Sequence, residues 1–418
     1  MIKSLKEKVR HRLLMDYQQL LSRDEIDTQE LSEVVFKVID EVSKRQAISL
    51  SEDEKKSALH EIIDEFLGLG PIEGLMMDPD ITEIMINGPK KVYIEKFGKT
   101  IASDVVFEDE RELMHIVHKI LSPTRRRVDE SYPFTDVSMK DGSRVNIVIY
   151  PVSIDGPAIT IRKFLKEIRK VDDLIRLNTL DQRMADFLVA CIKAKINIMF
   201  SGATGSGKTT TVNVLSDYVS NDERIVTIED TAELHLSQDH VVRLEARQPN
   251  IEGKGEITIR GLFKNTLRMR PDRIILGEIR SAEALDMLQA MCSGHTGSLA
   301  VIHANSPQDV MYRLETMILT SGIPINLDAI HRQISGGLHL IVQQEQLADG
   351  SRKITYITQV NGMKDGQVVL EDLFRYEIES VDPSKVKGRW ISTGYKPAFY
   401  NLFKKAGVAL PEAIFNKD

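Results

Sequence analysis

Three apolar stripes open the chain. Leu5, Val9, Leu13, Tyr17 and Leu20 recur at helical spacing, as do Leu31, Val34, Val35, Val38, Ile39 and Val42, and then Leu59, Ile62, Ile63, Phe66 and Leu67. Apolar positions three and four apart line one face of a helix, and Ser51 with Glu54 forms a capping box ahead of the third stripe. Three such stripes before Gly68-Leu69-Gly70-Pro71 predict a helical bundle over 1–70, each apolar face covered by the other two helices rather than by a membrane. The period then changes. Segments 81–86 and 92–97 read as strands, 110–121 as a helix and Asp141-Gly142 as a hairpin turn, which predicts a mixed α+β domain over 71–165. Over 166–418 apolar strands alternate with helices, the pattern of an α/β domain with a parallel sheet. Its strands include 196–200, 224–230 and 274–278, and a helix is predicted over 210–219. Asp349-Gly350 and Asp365-Gly366 punctuate period-two runs such as 354–357 and predict antiparallel strands added late. Beyond Asp382 only Trp390 and the aromatic, basic tail 395–405 stand out, and the tail is expected to dock on the domain.

Candidate chemistry enters between the first of those strands and its helix. Gly202-Ala203-Thr204-Gly205-Ser206-Gly207-Lys208-Thr209 fits G-x-x-x-x-G-K-[ST], and Thr210 continues into the helix. Glycines let the backbone wrap phosphate oxygens, and successive N–H groups at a helix N-terminus supply positive potential. Lys208 is expected to reach the β- and γ-phosphates, and the Thr209 hydroxyl to ligate Mg²⁺. Residues 202–210 are therefore expected to hold ATP.

Two later strands end in acids, Glu229-Asp230 and Glu278. Ligands sit at the carboxyl ends of strands in open α/β sheets. Both acids should face the phosphates, where one carboxylate orients or deprotonates water and another holds Mg²⁺ or its waters. His295 and His303 follow in a Gly-flanked segment, without the helical spacing or the cysteines of a zinc site.

In that order, "TIEDTAEL" at 227–234, "MRPDRIILGEIR" at 269–280 and "GHTGSLAVIHANS" at 294–306 resemble the secretion-ATPase superfamily of type II and type IV secretion and type IV pili. "RRRVDESYPFTDVSMKDGSRVN" at 125–146 and "AITIRKF" at 158–164 look like its CpaF branch, which powers tight-adherence (Tad/Flp) pili. The resemblance implies a RecA-like P-loop NTPase domain preceded by a PAS-like domain. It implies Glu229 as general base, Glu278 near Mg²⁺, and His295 and His303 as a His box sensing the γ-phosphate. Since the second acidic strand ends in Glu instead of Asp, the base stays open between Glu229 and Glu278. Arg144 and Arg162, in "GSRVN" and "TIRKF", are expected to reach the phosphates, and Arg125-Arg126-Arg127 to face the nucleotide. A homo-hexameric motor is implied, docked on an inner-membrane platform protein and acting on pilin indirectly. A conjugative type IV secretion ATPase is the alternative, and intact Glu229 and Glu278 speak against a nucleotide-gated scaffold with little turnover.

Composition narrows the class further. With 55 basic and 62 acidic residues in 418, the net charge of −7 gives no basic footprint, and no nucleic-acid partner is expected. The basic run 163–170 reads as solvated surface. No leader-like apolar segment opens the chain and no apolar run approaches a bilayer span, so a cytoplasmic protein is expected, peripheral at the inner membrane through its platform. Cys191 and Cys292 are expected to be buried thiols.

Overall fold

The computed structural model describes residues 28–418 except 47, 49, 67, 125, 140, 164–167, 169, 248, 250–253 and 383–384, together with residues 5, 8, 9, 12, 13 and 15–17. Leu20, Leu67 and Arg125, with Lys166 and Arg169 of the basic run, lie outside the described residues. The chain divides into two compact units, Met1–Phe164 and Leu165–Asp418, in a mixed α/β fold.

In the first unit, helices Thr28–Arg45 and Glu52–Phe66 share an apolar core with Leu5, Val9 and Leu13. The capping box forms: Ser51 N–H donates to Glu54 Oε2 at 2.8 Å and Glu54 N–H to Ser51 Oγ at 3.2 Å. An antiparallel sheet follows, built from β1 Ile81–Asn87, β2 Val92–Lys96, β3 Lys99–Ala102, β4 Phe134–Ser138, β5 Arg144–Val148 and β6 Ala158–Arg162. Its order is β3-β2-β1-β6-β5-β4. Alternation sends Ile84, Ile86, Val145, Ile147, Ile159 and Ile161 to one face, against the apolar stripe of helix Glu110–Leu121.

The second unit holds β7 Ile198–Ser201, β8 Ile225–Glu229, β9 Val241–Glu245, β10 Arg273–Ile279, β11 Leu299–Ile302, β12 Leu340–Gln346, β13 Arg352–Lys364, β14 Gln367–Asp382 and β15 Lys385–Ser392. The order is β15-β14-β13-β12-β7-β11-β10-β8-β9, parallel from β12 to β9 and antiparallel from β12 to β15. Parallel strands are covered on both faces, which is why β7 and β11 are buried throughout and, apart from Ser201, apolar. Helices Gln182–Lys193 and Lys208–Ser216 line one face, and Glu283–Cys292, Pro307–Leu319 and Leu327–Gly337 the other.

The antiparallel addition is longer than its turn signals suggest. β14 runs to Asp382, and β15 occupies a stretch whose alternating Lys385, Lys387 and Arg389 mask a strand with a single well-buried apolar residue, Val386. The tail docks: Phe403 and Phe415 are buried against Phe187, whose ring centroid lies 5.3 Å from that of Phe415. The helix after the glycine loop begins at Lys208 and ends at Ser216, earlier at both ends than 210–219. Cys292 corrects its expectation, for it is exposed at the last turn of its helix, whereas Cys191 is buried. No helix among the described residues is long and apolar enough to cross a membrane.

Candidate active site

Because β7, β8, β10, β11 and β12 run parallel, their carboxyl ends share one edge of the sheet. The glycine loop follows β7, Glu229 ends β8, Glu278 is the penultimate residue of β10 and His303 follows β11, so all four reach that edge.

The loop curls tightly. Gly202, Gly205 and Gly207 take φ of +152°, +77° and +97°, and a Cβ on Gly202 would stand 2.1 Å from the carbonyl oxygen of Gln344. Lys208 opens the helix, and its Nζ donates to the carbonyls of Gly202 at 2.9 Å and Ala203 at 2.7 Å. Lys208 thus spans the mouth of its own loop. Ser206 is fully buried and its Oγ has no hydrogen-bond partner among the described residues, while Ala203 and Thr204 are exposed and Thr209 and Thr210 half-buried.

Glu229 is 3% exposed. Its Oε1 accepts from the backbone N–H groups of Glu233 and Leu234, both at 2.9 Å, while the buried Oε2 has no partner among the described residues. Burial pushes its carboxyl up to about 7, against the lowering pull of those two N–H groups. One oxygen is fixed and the other is free to take a proton.

Glu278 is held differently. Arg280 Nη2 lies 2.6 Å from its Oε2, and His303 Nε2 3.4 Å from its Oε1. Arg280 also donates to Asp230 Oδ2 at 2.8 Å, which ties the ends of β8 and β10 together. Burial, then the nearby charge of Lys208, holds the His303 imidazole below its usual range, partly offset by Glu278. Arg280 was legible only as part of "LGEIR"; its place two residues beyond a strand-end acid is the signal for a charge partner.

His295 is placed apart from His303. It precedes β11 whereas His303 follows it, so the two histidines lie at opposite ends of about 13 Å of extended strand. The His295 backbone N–H donates to Ala290 O at 3.1 Å and its carbonyl accepts from Ser298 Oγ at 2.8 Å, closing a turn at the amino edge of the sheet.

Arg144 and Arg162, in the first unit, stand directly opposite each other on β5 and β6, with Glu83 of β1 opposite Arg162 on its other side. The Thr209 hydroxyl and the Glu278 carboxylate are oxygen donors of the kind Mg²⁺ takes, one on the helix that opens at the cradle and one on the same sheet edge.

Residues 65–372 match the model of the type II/IV secretion system protein family. A Mycobacterium tuberculosis protein whose name refers to conjugal transfer is 29% identical over 348 residues, 78% of this chain and 98% of that protein. The type IV secretion system protein VirB11 of Bartonella quintana is 28% identical over 342 residues, 72% of this chain and 95% of its own. The crystal structure of the pilus retraction motor PilT with bound ADP matches 70% of this chain and 83% of that chain with a TM-score of 0.51 at 20% identity, a likeness of fold. A glycine cradle, two strand-end glutamates on one sheet edge and a family match across three quarters of the sequence agree: the chain belongs to the type II/IV secretion system protein family, that of the secretion and pilus-type ATPases.

Proposed function

We propose that the chain is the ATP-hydrolysing subunit of a hexameric motor that powers assembly of a tight-adherence pilus. In this reading a RecA-like domain over 166–418 follows a PAS-like domain over 71–165 and a helical bundle over 1–70, and the ring docks on an inner-membrane platform protein that handles the pilin. The observation that carries the catalytic part is the Glu229 carboxyl: buried, raised to about 7, anchored through Oε1 and free at Oε2. A base that titrates near neutrality accepts a proton from water at physiological pH. Glu278, ion-paired to Arg280 and facing His303, is placed as the electrostatic partner. Residues 202–210 hold the phosphates, with Lys208 released from its own loop toward them. Thr209 and Glu278 are the residues that would hold Mg²⁺, whose chemistry is neutralisation of charge on the phosphoryl group. We assign supplementary cationic roles toward that group to Arg144 and Arg162. Their direct opposition on β5 and β6 brings two cationic groups together, an arrangement suited to an anionic ligand.

The CpaF-like segments 125–146 and 158–164 favour pilus assembly. The conjugal-transfer name of the Mycobacterium tuberculosis relative favours the second reading, a conjugative type IV secretion ATPase. Steady-state turnover tests the chemistry. Lys208→Ala should abolish ATP binding, and Glu229→Gln should retain binding but lose on the order of 10²-fold in kcat. Near wild-type kcat in Glu229→Gln sinks the base assignment, and a fully active monomer in light scattering sinks the ring. Loss of surface filaments on inactivation of the gene supports the pilus reading, whereas loss of DNA transfer with filaments intact supports the conjugative one.

A further inference from the structure

β12 and β13 brace the outside of the phosphate cradle. β12 lies beside β7 with Gln343 opposite Ser201, and β13 returns with Arg352 opposite Gln346. Gln343 Oε1 accepts from Ser201 Oγ at 2.5 Å, and its Nε2 donates to Ala304 O at 3.2 Å. After a bulge, Gln344 Oε1 accepts from Thr211 Oγ1 at 2.8 Å. Arg352 reaches the loop itself: its Nε donates to the Gly205 carbonyl at 2.8 Å.

That single bond sets a direction. In a trans peptide the C=O and the following N–H point opposite ways, so a Gly205 carbonyl drawn outward to Arg352 turns the Ser206 N–H inward. There its contact is a long one, 3.4 Å to the Ala203 carbonyl, directed across the loop. Gly205 sits at φ +77°, and glycine has ready access to both signs of φ, so this peptide lacks the steric lock a side chain would give it. Turned over, it would present a carbonyl oxygen to a phosphate instead of a donor.

We infer that Arg352 is a positioning residue for nucleotide: it holds the Gly205–Ser206 peptide so that the Ser206 N–H faces a phosphate oxygen, while Gln344 steadies the first turn of the following helix. This rests on the nucleotide-binding reading above, and it gives the antiparallel addition a role in the site.

Equilibrium binding of ATP, ADP and inorganic pyrophosphate to the full chain tests it. Arg352→Met keeps an unbranched apolar stem beside Gly207 and removes the guanidinium with its donors. It should weaken all three ligands by the same factor, about tenfold, as expected for loss of a charge-assisted hydrogen bond that orients the cradle. Saturating kcat should change far less than KM, and Arg352→Lys, which retains a donor, should recover much of the affinity. Circular dichroism of the nucleotide-free variants checks the fold. Should Arg352→Met fail to fold, Arg352→Leu, which likewise lacks a donor, gives the same comparison against Arg352→Lys. Unchanged affinity in the folded variant overturns the inference, as does an equal loss in Arg352→Lys. Lys208→Ala separates the two levels: if it still binds ATP, the nucleotide reading itself falls, and if it does not while the Arg352 variant binds normally, only the positioning role falls.

Discussion

Gly277 lies directly against Glu229: a Cβ built on Gly277 would stand 2.8 Å from Glu229 Cγ and 3.3 Å from its Oε1. The contact is with the middle of a buried side chain whose Oε1 is already fixed by two backbone donors, so neither partner can yield cheaply. Gly277→Ala should therefore lower kcat by on the order of 10²-fold, like loss of the base itself, with little change in ATP affinity. Turnover measured beside nucleotide binding checks it, and wild-type kcat would show that Glu229 is not where the chemistry happens.

The Glu229 carboxyl should make stability and activity move in opposite directions with pH. Its folded value of about 7 lies above the ordinary 4.5, so between those values the folded protein keeps a proton that the unfolded chain has lost. Stability contributed by this group is complete below about 4.5 and declines as pH rises to 7, by about 3 kcal/mol at most. Turnover should rise over the upper part of that window as the base deprotonates. Glu229→Gln should be more stable than wild type at pH 8, converge with it near pH 4.5, and lose the rise in rate. Urea unfolding of the nucleotide-free proteins at both pH values is the measurement.

Separation of the two histidines along β11 predicts unequal effects. His303→Ala removes a contact to Glu278 beside the cradle lysine and should lower kcat at least about tenfold. His295→Ala should leave nucleotide affinity and single-turnover hydrolysis near wild type, since its backbone alone makes the turn contacts. Equal losses in both, in single-turnover assays, would restore a paired role.

Among the described residues Arg273 is the largest fully buried side chain, 1% exposed, and it binds three separate segments. Its Nε donates to Glu223 at 2.7 Å, Nη2 to the Ile192 carbonyl at 2.6 Å and Nη1 to that of Gly297 at 3.2 Å. Removing one partner of a buried charge pair strands the other and its acceptors. Arg273→Ala should cost about 3 kcal/mol in urea unfolding, and Arg273→Lys should recover little because one ammonium cannot serve three acceptors in a fixed fork. A loss below ~1 kcal/mol would refute this bracing role.

The glycine loop was legible as a turn between strand and helix because its pattern is local: glycines at set spacing, a lysine in the first helical turn and a preceding apolar strand. Strand-end glutamates and the antiparallel addition were legible for a related reason, since short-range periodicity reports which edge a residue ends on. Pairing, burial and partner choice were not. Only the order β7-β11-β10-β8 brings Glu229 over Gly277, and only the strand direction of β11 separates His295 from His303. Arg352 lies 147 residues from the carbonyl it holds. Cys292 reads as apolar company yet ends exposed, and the charged alternation of β15 hides a strand. Local pattern determines which element a segment forms, whereas the free oxygen of Glu229 and its raised affinity for a proton arise from what the folded chain places around it.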